Sequence, residues 1–277
     1  MLVSGAYTAT LSVSPGRAGA NVIKVATSGG VVSPRDDPRH GHFRGAEVAV
    51  MVEEAAAAGI YVMAHAQGAD GIKTAVRSGV RSIEHGVYLD DEAISMMLER
   101  GTWLVPTLMA SRDILATAAS GILVPAHMLA KAEMVAEIHK QSARRAIAAG
   151  VRVAMGTDSG ITPHGRNLEE LALLVAAGMT PAQALHSATL AAAQLMGLDA
   201  DLGSIEPGKR ADLVIVDGDP LDLHTLAGRI ARVYQDGILV HSTDVDGAVD
   251  GARLPLGIAA ELDDTAMPYR PDPATTA

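Results

Sequence analysis

Apolar residues along this chain fall into short unbroken runs, each followed by a polar loop and then by a stretch with helical spacing. Asn21–Thr27, Ile60–His65, Arg81–His85, Thr102–Thr107 and Val151–Thr157 are too short for helices. Their lack of alternation predicts strands buried on both faces. Between them the pattern predicts helices over Gly45–Ala58, Gly71–Ser78, Asp90–Arg100 and Pro125–Ala149, each stopped by a glycine. A glycine exit followed by an apolar run is the expected left-handed stop before the chain re-enters a sheet. Two more helices are predicted, Asn167–Ala177 and Pro181–Met196, the second with Thr180 as N-cap and Pro181 in its first turn. The repeated alternation implies a parallel sheet, either closed as a barrel or open and doubly wound.

The rhythm changes after residue 200. Gly203–Asp217 and Val233–His241 read as short strands broken by Gly and Pro turns, a small β appendage. From about Val249 the chain is rich in Pro, Asp and Ala and predicts an extended tail. The expected division is 1–200 for an αβ unit, 201–247 for part of a small β domain, and 248–277 for the tail.

Composition narrows the function. With 48% hydrophobic and 19% charged residues over 277 positions, the chain can bury a substantial core. A net charge of −10 argues against nucleic acid as a partner, because phosphate binding draws on clustered Lys and Arg. There are no cysteines, so disulfides and thiolate ligands are excluded. No run reaches membrane-spanning length and the first residues lack a signal-peptide pattern, so a cytoplasmic protein without membrane contact is expected.

Polar residues interrupt the apolar runs where chemistry would be placed. Lys24 breaks an apolar strand, His65 and His85 end two others, and Asp158 follows a fifth. In a parallel αβ barrel the C-terminal ends of the strands converge on one mouth, where catalytic residues gather. Two imidazoles and a carboxylate suit zinc or a similar divalent ion. A strand-end His alone is more often a hydrogen-bonded core residue, but a buried Lys without a partner is costly and asks for a role.

The segments VIKVATSGGVVSP, VMAHAQGADGIKTAVRSGVRSIEHG, LVPTL, MGTDS and GSIEPGKRADLVIVDGDPL, in that order, resemble the amidohydrolase superfamily, and within it the imidazolonepropionase-like and Xaa-Pro dipeptidase-like branch. The resemblance runs from about Leu2 to Val240. It implies an α/β fold, a (β/α)8 TIM-type metallo-hydrolase barrel, with part of a small β-sandwich domain at the C-terminus. By the same resemblance Lys24 is carboxylated and bridges two metal ions, His65 and His85 hold one of them, and Asp158 binds the other and moves the proton. The implied activity is hydrolysis of a small amide or dipeptide-like substrate with a divalent metal, zinc by expectation.

One departure stands out. The family carries an H-x-H pair at the end of its first barrel strand, and the only such pair here, His40 and His42, lies in a Pro- and Arg-rich loop after the Lys24 strand. It reads as loop surface or substrate-facing. Before Lys24 there is room for one strand, around Leu2–Gly5, so the barrel is expected to lack its first strands, to hold one metal instead of two, and to associate into a homo-oligomer through open edges. His164 and Arg166, on the loop after Asp158, are candidate substrate-binding residues, with Arg35 a weaker one. His127, His139 and His186 read as helix surface or packing. Two other classes compete: a truncated binding or assembly protein keeping a partial metal site, and a nucleotide-binding αβ protein. The second lacks a glycine-rich phosphate loop after its first strand.

Overall fold

The structure, a computed structural model, describes residues 19–243. The predicted strand around Leu2–Gly5 and the tail from residue 248 lie outside the described residues.

Four parallel strands form the main sheet in the order β1 (Val22–Ala26), β2 (Tyr61–Ala66), β3 (Ser82–His85) and β4 (Trp103–Val105). The register pairs Ala26 with His65 and His65 with Glu84, which sets the strand ends side by side. The crossovers are α1 (Gly45–Ala57), α2 (Ala69–Ser78) and α3 (Asp91–Arg100). Asp90 caps α3 through the Ala93 N–H at 2.8 Å, and Gly101 ends it with φ at 65°. The core lies between sheet and helices. Ile72, Ile83 and Leu104 are fully enclosed there, each stabilising the fold by about 1.5–3 kcal/mol through burial.

The fifth predicted strand forms only in part. Val153 makes a single parallel bridge to Leu104, with Leu104 N–H donating to Arg152 O and Ala154 N–H to Leu104 O. Met155 N–H then turns to Ser187 O at the end of a helix, so the pairing stops. Among the described residues the barrel is therefore not closed: β1 is one edge of the sheet and this bridged segment is the other.

Helix α4 (Leu108–Ala119) was not expected, and it packs on α5 (Ala126–Ala149). α6 covers Glu169–Ala176. The long helix predicted over Pro181–Met196 is two, α7 (Pro181–Ala188) and α8 (Leu190–Met196), broken at Thr189, whose hydroxyl donates back to Leu185 O. The C-terminal part is an antiparallel sheet of β5 (Leu213–Val216), β6 (Ile230–Gln235) and β7 (Ile238–Ser242). Within Val233–His241, read as short strands broken by a turn, Asp236 and Gly237 both take positive φ and turn a hairpin. Leu223 and Leu226, just before β6, pack into the main core. No helix among the described residues is long and apolar enough to cross a membrane.

Candidate active site

A cavity of about 650 Å³ opens at the C-terminal ends of the strands, and Lys24, His65, His85 and Asp158 all line it. The sheet delivers the first three from β1, β2 and β3, and Asp158 follows the bridged segment. The rings of His65 and His85 meet edge to face with centroids 4.7 Å apart. Lys24 and Asp158 both act on His65 through space, the cation lowering its pKa and the anion raising it.

Backbone conformation marks the same place. Four non-glycine residues among those described have positive φ, and three are His85 (75°), Thr107 (51°) and Asp158 (53°), all at strand ends lining the cavity. Each left-handed non-glycine residue costs on the order of 1–3 kcal/mol and persists only where its surroundings hold it. The turn at His85 swings its ring into the cavity.

Each imidazole has one nitrogen fixed by a protein oxygen. His65 Nε2–H donates to Gly29 O at 3.2 Å, which leaves Nδ1 with the lone pair. His85 Nδ1 lies 2.7 Å from Thr107 Oγ1, which leaves Nε2 free. Anchoring one ring nitrogen on an oxygen is how a metal-ligating imidazole is oriented and its tautomer set. Burial holds the pKa of His65 down and that of His85 well below the ordinary histidine value, so both are neutral and able to ligate. Lys24 is half-buried on the cavity face of β1, and its ammonium makes no ion pair or hydrogen bond among the described residues. No three His, Asp or Glu side chains among those described meet closely enough to hold an ion by themselves. A bound ion would also need Lys24 or a further ligand. The chemistry of the four residues fits a divalent metal on those terms.

The long connection from β1 to α1 roofs the cavity, and α5 holds it down. Lys131 Nζ donates to the carbonyls of Gly30 (3.2 Å), Ser33 (2.6 Å) and Asp36, while His127 Nε2–H donates to Val32 O at 3.1 Å. His127, expected as helix surface or packing, thus binds the roof. His42 lines the cavity from this loop, 3.9 Å from Asp36, while His40 is exposed and outside it.

His164 and Arg166 do not line the cavity. His164 is exposed, and the Arg166 guanidinium is occupied by Glu169 (2.6 and 2.8 Å) and Asp113 (3.1 Å). The ion pairs that hold it span α4 and α6, a contact that spacing alone does not reveal. Arg35 and His186 are also exposed and outside the cavity. Conversely, Thr107, Gln67 and His139 line it without having been singled out as site residues. Gln67 is buried and its Oε1 has no hydrogen-bond partner among the described residues, and His139 Nε2–H donates to His85 O at 3.0 Å. The one sequence signal for Thr107 and Gln67 was position, each lying at or just beyond the end of an apolar run.

The chain is similar to known proteins over most of its length. The profile of the Amidohydrolase family matches residues 11–247. An ochratoxinase of Aspergillus niger is 38% identical over 244 residues, covering 86% of this chain and 50% of that protein. An imidazolonepropionase of Symbiobacterium thermophilum is 30% identical over 209 residues, covering 72% and 44%. The crystal structure of a Xaa-Pro dipeptidase with bound methionine in the active site superposes with a TM-score of 0.77 at 37% identity, covering 82% of this chain and 55% of that one. The chain therefore spans about half the length of the curated relatives it matches.

Proposed function

Because the chain belongs to the amidohydrolase family, whose members generally bind divalent metals, we propose that its cavity is a centre for metal-dependent hydrolysis of a C–N amide bond. The substrate we propose is dipeptide-like or an N-acyl amino acid, and the metal zinc. The observation that carries this reading is the convergence of Lys24, His65, His85 and Asp158 on one cavity from four separate segments. Relatives named for ochratoxin and Xaa-Pro dipeptide hydrolysis support the bond type.

In this reading His65 and His85 hold the ion through the ring nitrogens that no protein oxygen occupies. Lys24, as a carbamate formed from its amine and CO₂ with loss of a proton, adds an anionic oxygen ligand. When bound, the ion acidifies water and polarises the scissile carbonyl. Asp158 takes the proton from the attacking water and hands it to the leaving nitrogen as the C–N bond breaks. Val31, Val87, Ile114 and Ile161 give the cavity an apolar wall for the acyl or side-chain portion.

The test is a panel of dipeptides and N-acyl amino acids assayed with added Zn²⁺. Asp158→Asn is expected to lower kcat by about a hundredfold or more while leaving the fold intact by circular dichroism. No metal-dependent turnover across the panel contradicts the reading. That no three His, Asp or Glu side chains among the described residues meet closely enough to hold an ion favours a second reading, a homologue that binds metal or a partner without turnover. Metal binding in the absence of hydrolysis selects it. Association of copies along the open edges belongs to either reading.

A further inference from the structure

Glu170 lies in α6, has none of its surface exposed, and has no part in the proposed chemistry. Its carboxylate accepts two backbone N–H groups at the start of α4, Leu108 N–H at 2.7 Å and Met109 N–H at 2.8 Å. These belong to the unpaired first turn of that helix, and a side chain at the N-cap usually satisfies such groups. The N-cap here is Thr107, a residue type suited to the task, yet its hydroxyl makes no cap bond to α4. That hydroxyl sits instead 2.7 Å from His85 Nδ1, with the Thr107 backbone turned left-handed. One helix end thus has its capping supplied from another helix, and its own capping residue faces the cavity.

We propose that Glu170 is a positioning residue for the active site: by capping α4 from outside, it releases the Thr107 hydroxyl to accept from His85 Nδ1–H and so leaves Nε2 to ligate. This inference rests on the reading of His85 as a metal ligand. Neighbouring charges are arranged around the same helix end. Arg112 and Asp113 stand within electrostatic reach of Glu170, the guanidinium favouring its anion and the carboxylate opposing it. Asp113 is itself buried between Arg112 and Arg166. Without Glu170, the first-turn N–H groups compete for the Thr107 hydroxyl, and the His85 ring loses its anchor.

The experiment measures Co²⁺ binding by absorption and the His85 tautomer by ¹⁵N NMR of the metal-free protein, in Glu170→Gln, Thr107→Ala and the double variant. Glu170→Gln is expected to weaken Co²⁺ binding by about tenfold, the lower end for residues that orient metal ligands, and to mix the His85 tautomers. Thr107→Ala is expected to do the same, Thr107→Ser to remain at the wild-type level, and the double variant to add less than twofold to either single change. Fully multiplicative losses in the double variant, or an unchanged His85 tautomer in Glu170→Gln, overturn the proposal. Should Glu170→Gln not fold, Glu170→Asp keeps the charge within reach of one N–H and is read in the same way. A wild type that binds no Co²⁺ refutes the metal reading, while the tautomer comparison still decides the role of Glu170.

Discussion

His139 has 3% of its surface exposed, and burial pushes its pKa down to about 4 against the carbonyls of His85 and Pro106, which pull it up. An unfolded histidine titrates near 6.5, so between the two values the unfolded chain binds more protons than the folded one. The stability that neutral His139 contributes is present above about pH 6.5 and is lost as pH falls toward 4. Glu84 and Glu170 act with the opposite sign. Burial pushes both up to about 7, so what they contribute is present below about pH 4.5 and is lost as pH rises through 7. Comparison of His139→Gln with wild type isolates the histidine. Between pH 7 and 5, wild type is expected to lose about 2 kcal/mol more stability in urea unfolding than the variant. Parallel pH profiles would contradict this. At this scale the sequence made Lys24, His65 and His85 visible because each is a polar break at or near the end of an apolar run. His139 was not visible, since one histidine among the buried positions of a helix looks like packing until its partner carbonyl is known.

At the scale of elements, the β1–α1 connection is held by close backbone approach as well as by Lys131. A Cβ at Gly68 would stand 2.5 Å from Arg39 O and 2.7 Å from Arg39 C, and one at Gly29 would collide with Asp37 O. Backbone cannot move aside as a flexible side chain can, so Gly68→Ala is expected to cost about 1–3 kcal/mol and to raise KM by displacing the loop that carries His42. Gly45→Ala, at the start of α1 with open space around it, is the control and is expected to cost nothing. Urea unfolding of the two variants checks the pair, and equal stabilities would contradict it. Strands β1 to β4 and their crossover helices were legible from hydrophobic runs and glycine stops. Helix α4 was hidden because its cap comes from Glu170, distant in sequence. The break at Thr189 was hidden because a hydroxyl bonding back into its own helix leaves the pattern of apolar residues unchanged. The hairpin at Asp236–Gly237 was readable from the dipeptide, which favours the left-handed turn.

At the scale of the molecule, the described sheet is a barrel segment that stops before closure, with β1 open on one side. The fold class could be read from the βα rhythm, but the choice between barrel and open sheet could not. It depends on curvature and strand count that periodicity does not encode. The candidate site was legible as four positions, and its supporting contacts to Gly29, Thr107, His139 and Glu170 were not, because each joins segments far apart in the chain.

The central claim is that these four residues form a metal centre, and metal content tests it most directly. The chelated protein is reloaded with Zn²⁺, dialysed and analysed by mass spectrometry beside a His65→Ala/His85→Ala variant that still folds. Stoichiometric zinc is expected in the wild type and its loss in the variant. A metal-free wild type, or equal zinc in both, would contradict it.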